Sequence, residues 1–136
     1  MVKLIMGPKG TGKTKSLVEL VKHAVEEENG NVVCIEKDKN LTYDIPYTAR
    51  LVHAADYKFG SVEFFMGFIN GLHAANYDIT HVFIDNFFKM VDNCDLDKLA
   101  PVLDALDAFG EKENIKFTIS ATADPAAVGS DLKKYL

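Results

Sequence analysis

Four short, nearly uninterrupted apolar runs constrain this chain most. They are Val2-Lys3-Leu4-Ile5-Met6, Asn31-Val32-Val33-Cys34-Ile35-Glu36, His81-Val82-Phe83-Ile84-Asp85 and Ile115 to Ala121. Each is too short to span a membrane and carries β-branched or aromatic residues, so each reads as a strand buried on both faces. A weaker run, Ala49 to His53, reads as an edge strand after the polar loop KDKNLTYDIPY. Segments of helical period lie between the runs. Leu17, Val18, Leu20, Val21, Ala24 and Val25 mark a helix from Lys13 to Glu28, stopped by Asn29-Gly30. Ser61 to Asn76 has helical length, although its two glycines make it depend on packing. Leu99, Val102, Leu103, Leu106 and Phe109 mark a further helix, in which Pro101 fits only near the first turn. Asp124-Pro125 signals one short final helix. This alternation predicts an α/β three-layer sandwich around a five-stranded, mainly parallel sheet, with residues 1–136 forming a single domain.

The first strand runs directly into GPKGTGKT, residues 7–14. The stretch fits G-x-x-x-x-G-K-[ST], with Gly7, Gly12, Lys13 and Thr14 at the fixed positions. The chemistry explains the residue types. Glycines let the backbone curl until successive N–H groups face one anion, and the following helix adds the positive end of its dipole. Gly7, Pro8, Lys9, Gly10, Thr11, Gly12, Lys13, Thr14 and Lys15 would form the cradle. Lys13 would reach the β- and γ-phosphates of a nucleoside triphosphate, and the Thr14 hydroxyl would sit on Mg²⁺.

On this loop and its strand–helix context the chain resembles the P-loop NTPases over nearly its whole length. THVFIDNFF, residues 80–88, resembles their Walker B strand, which implies that Asp85 holds Mg²⁺ together with Thr14. Many members follow that aspartate with a water-polarising glutamate; here Asn86 follows. In the RecA-like branch the glutamate stands instead at the end of the strand after the P-loop helix. That strand ends here at Glu36, with Asp38 just beyond. The resemblance then implies a strand order of 3-2-4-5-1, with Lys13, Glu36 and Asp85 as the catalytic set and ATP and Mg²⁺ as ligands. Ser120-Ala121-Thr122 weakly resembles the γ-phosphate-sensing strand tip of the same branch. Lys9 does not match the extra lysine of partitioning-type ATPases, whose position is Pro8 here. The loop also resembles that of pilus and secretion ATPases, but their other motifs are missing.

Composition narrows the function. The net charge is −5, which does not favour nucleic acid as a partner. Arg50 is the single arginine. Nucleotide kinases usually clamp two phosphorylated substrates with several arginines, so a monophosphate kinase is disfavoured. Type II thymidine kinases are a closer comparison, since Asp85-Asn86-Phe87-Phe88 faintly echoes one of their motifs, although the zinc-binding cysteines are missing. Arg50 reads either as an ordinary surface residue or as a finger given to a neighbouring subunit. Phe64, Phe65, Phe68, Ile69 and Leu72 read either as core or as an oligomer or partner surface. Tyr43 and Tyr47 are the candidates to stack on a base. His23, His53, His73 and His81 have no metal spacing, and Cys34 and Cys94 make neither a zinc nor a disulfide pattern. With no membrane segment in view, the expectation is a cytoplasmic Mg²⁺-dependent ATPase of low activity. Two alternatives stay open: a nucleotide-binding switch or assembly subunit without turnover, and a small nucleoside kinase.

Overall fold

The computed structural model describes all residues, Met1–Leu136. Five strands form one sheet: β1 (Val2–Gly7), β2 (Asn31–Glu36), β3 (Arg50–His53), β4 (Ile79–Ile84) and β5 (Lys116–Thr122). Their order is β1-β5-β4-β2-β3, and every pairing is parallel. Five helices accompany them: α1 (Lys13–Glu27), α2 (Val62–Ala75), α3 (Phe87–Met90), α4 (Leu96–Glu113) and α5 (Ser130–Lys133). No helix is long and apolar enough to cross a membrane.

The central strands are apolar on both sides because both sides are covered. Val33 and Ile35 of β2 join Val82 and Ile84 of β4 in a large core with α2, α3, α4 and α5. Val32, Cys34 and Phe83 point the other way and meet Leu17, Val18 and Val21 of α1. The loop that reads as polar contributes to this second layer: Leu41, Ile45 and Ala49 are buried against the same α1 cluster. Three apolar residues dispersed among charges leave no period in the sequence to detect.

Local signals explain most boundaries. The Ser61 hydroxyl caps α2 by accepting from the Phe64 N–H at 3.0 Å. Its glycines are tolerated because Phe65 and Ile69 are buried; truncating Phe65 to alanine should cost about 3–5 kcal/mol. α4 begins earlier than its apolar period suggests, at Leu96, because Asp95 caps it through the Asp97 N–H at 3.1 Å. Pro101 consequently falls in the second turn and forfeits one bond to the Asp97 carbonyl. Both residues are exposed, so water can satisfy that carbonyl.

Register sets the functional edge. Gly7 pairs with Thr122, Ile84 with both Ile119 and Ile35, and Glu36 with His53. The carboxyl ends of all five strands therefore form one rim, the place where open α/β sheets bind ligands.

Candidate functional site

The loop between β1 and α1 has the conformation its glycines allow. Gly10 and Gly12 take φ of 83° and 82°, a region that side-chain-bearing residues rarely adopt. Gly7 is needed for space, since a Cβ there would come within 2.6 Å of the Thr11 hydroxyl oxygen. The Pro8 carbonyl accepts from Thr11 Oγ1 at 2.7 Å and from Lys13 Nζ at 2.9 Å, which closes the loop on itself.

Asp85 stands just past β4, its N–H donating to the Ile35 carbonyl at 2.9 Å. Its side chain collects hydroxyls from two directions. Thr14 Oγ1 donates to Oδ1 at 3.1 Å and Ser120 Oγ donates to the same oxygen at 3.0 Å. Ser120 in turn accepts from the Asn86 N–H at 2.9 Å, and Thr122 Oγ1 donates to Asn86 Oδ1 at 3.1 Å. One hydrogen-bonded chain thus joins the start of α1 to the tips of β4 and β5. Asn86 holds φ 56°, ψ 62°, an αL conformation that asparagine tolerates and that swings the chain from β4 into α3.

A cleft of about 330 Å³ opens beside this chain. It is lined by Lys9, Gly10, Gly12, Lys13, Thr14 and Lys15 of the loop and the start of α1, and by Asn86, Phe88, Lys89 and Thr122 from the β4–α3 turn, α3 and the β5 tip. None of its four lysines takes part in any of the ion pairs of the protein. An uncompensated cationic cleft in a chain of net charge −5 attracts anions.

Glu36 is not part of that cleft. Its buried carboxylate accepts from the Asn40 N–H at 2.9 Å and from the Leu41 N–H at 3.1 Å, and His53 Nδ1 lies 3.4 Å away. Burial pushes its pKa up, and the Asp85 charge adds to this; the two backbone N–H groups and His53 pull it back. Asp38 is exposed, and its carbonyl lies 2.9 Å from His53 Nδ1. Arg50 and Tyr47 line a separate cavity at the β3 edge, and Tyr43 is fully exposed. Cys34 is buried next to Asp85 and Glu36. Burial and those two charges push its thiol well above the usual range, so it stays an inert core residue.

Thus the structure brings together the loop residues, Thr14, Asp85 and the Ser120–Thr122 tip, and sets Glu36 and Arg50 elsewhere. It adds α3 and Lys89. A four-residue helix is too short to show a period, so only the αL-tolerant Asn86 marks it in the sequence. No protein-family model matches the chain, and no curated protein matches it in sequence.

Proposed function

We propose that the chain is a RecA-like P-loop protein that binds ATP with Mg²⁺ at the cationic cleft and hydrolyses it slowly. The observation that carries this reading is the meeting of Thr14 Oγ1 with Asp85 Oδ1 at 3.1 Å, at the foot of a glycine loop whose lysines have no carboxylate partners. A hydroxyl and a carboxylate are the hard oxygen donors that Mg²⁺ takes. No cluster of three or more His, Cys, Asp or Glu is arranged to hold a metal. Two protein oxygens completed by phosphate and water fit the way this ion is usually bound in phosphoryl-transfer sites. Strand order also supports the reading: taken from the β3 edge, the sheet runs 3-2-4-5-1.

In this reading the loop N–H groups and Lys13 hold the β- and γ-phosphates, and Thr14 and Asp85 hold the metal. Mg²⁺ bound there would neutralise phosphate charge. Ser120 orients Asp85 through its hydroxyl, and Asn86 and Thr122 line the same cleft.

One observation favours a second reading, a nucleotide-binding module without turnover. Glu36, the candidate base, is occupied by the backbone of its own loop, and Asn86 replaces the adjacent glutamate. Mg²⁺-dependent phosphate release from ATP, with Lys13→Ala as blank, separates the readings. Release above the blank supports the ATPase. Saturable binding without release supports the module, and product formed only with an added nucleoside would mean a kinase.

A further inference from the structure

The cleft takes its cations from two elements. Lys9, Lys13 and Lys15 come from the glycine loop and the start of α1, while Lys89 is the one lining cation that comes from α3. Arg50, the single arginine, opens β3 and lines a different cavity. A cation supplied from outside the loop has a chemical use. In ATP hydrolysis a water oxygen bonds to the γ-phosphorus, and the bond from that phosphorus to the β–γ bridging oxygen breaks. The electron pair stays on the β-phosphate of ADP, and both of the water's protons leave with the phosphate as H2PO4−, which passes one to solvent at neutral pH. Charge moves between the γ-phosphoryl oxygens and the bridging oxygen, and a cation lining the same cleft from outside the loop can stabilise it.

Lys89 is rooted firmly enough to act this way. On one side of it Phe87 is fully buried, with its ring edge-on to Phe65 at 5.2 Å. On the other side Met90 and Val91 are buried as well. Ahead of it the Asn86 turn is fixed at both ends, through its N–H to Ser120 and its side chain to Thr122. The stem of Lys89 therefore starts from a fixed backbone, and only its own torsions remain free.

Resting on the nucleotide reading above, we propose that Lys89 is a catalytic residue. Supplied by the same chain, its ammonium touches the γ-phosphoryl oxygens and does the work that an arginine from a neighbouring subunit would otherwise do.

The test uses Lys89→Met and Lys89→Arg in the full chain. It has three readouts: single-turnover cleavage of ATP, MgATP affinity, and retention of ADP with aluminium fluoride, which mimics the transferring phosphoryl group. Lys89→Met should slow cleavage by about 100-fold, change MgATP affinity by less than about threefold and lose the retained complex. Lys89→Arg should recover much of all that is lost. Wild-type specific activity should not change with protein concentration. A rise of specific activity with concentration would overturn the proposal in favour of a residue from a second copy. So would retention by Lys89→Met equal to wild type, or a rate loss matched by an equal loss of MgATP affinity. If the wild type binds MgATP without cleaving it, retention decides: a complex held by the wild type and lost in Lys89→Met supports Lys89, and none in either overturns it. A wild type that binds no MgATP overturns the nucleotide reading itself.

Discussion

Thr14 and Asp85 lie 71 residues apart in sequence, yet Thr14 Oγ1 donates to Asp85 Oδ1 at 3.1 Å. The approach crosses over β5, which lies between β1 and β4, so the fold of the whole sheet sets it. Ser120 donates to the same oxygen, so Asp85→Asn keeps an acceptor for both hydroxyls and removes only the charge. This substitution should weaken MgATP binding by about 10–100-fold and leave ATP binding in excess chelator within about twofold. Equal affinities with and without Mg²⁺ in the wild type would remove Asp85 from the metal.

Glu36 separates two roles that look alike in sequence. As holder of the 40–41 backbone, its replacement by alanine should cost about 2–3 kcal/mol in urea unfolding, because the buried Leu41 N–H and the part-buried Asn40 N–H lose a charged acceptor. A base in the reaction would instead lose turnover with stability intact. The pH dependence has a definite sign. Burial raises the folded pKa above the ordinary carboxyl value of 4.5, so the folded state holds the proton more tightly. The contribution of this group is present at low pH and is lost as pH rises from about 4.5 through the raised folded value. Glu36→Gln should flatten that segment of the stability profile.

His81 runs the other way. It lies between the Glu28 carboxylate, at 3.3 Å from Nδ1, and the Thr118 hydroxyl, at 2.8 Å from Nε2, and stacks on Phe83. Burial lowers its pKa to about 4, outweighing the pull of Glu28, and Lys116 pushes in the same direction as burial. The unfolded chain binds the proton first as pH falls, so stability should decline from about pH 6.5 towards pH 4. His81→Gln should lessen that decline, and the imidazole carbon shifts in NMR should titrate with a midpoint near 4. A midpoint near 6.5 would contradict the buried arrangement.

Gly67 and Gly71 sit inside α2 with open space where a Cβ would go. Replacing either by alanine should stabilise the protein by about 0.5–1 kcal/mol, seen as a higher urea midpoint. A loss of stability would mean that this face of α2 is covered in solution.

Much of the arrangement was legible in the sequence, and the exceptions have physical causes. Apolar runs such as NVVCIE become strands covered on both faces because their residues leave no polar side for water. The glycine loop is legible because Gly10 and Gly12 must adopt a left-handed backbone. Glu36 reads two ways in sequence because a carboxylate at a strand tip serves a catalytic rim or a neighbouring loop equally well, and its bonds to the 40–41 backbone become visible only in the fold. Lys89 is hidden for the opposite reason. One lysine among fourteen carries no mark until the αL turn at Asn86 leads into α3, where Lys89 lines the cleft with the loop lysines.

The most direct measurement is calorimetric titration of MgATP into the wild type and into Lys13→Ala. One saturable site is predicted for the wild type. Loss of the Lys13 charge should weaken it by about 2–3 kcal/mol, roughly 30–150-fold in affinity, while the fold and urea midpoint stay near those of the wild type. No binding by the wild type, or equal binding by the two proteins, would contradict the claim that this loop holds the phosphates of a nucleotide.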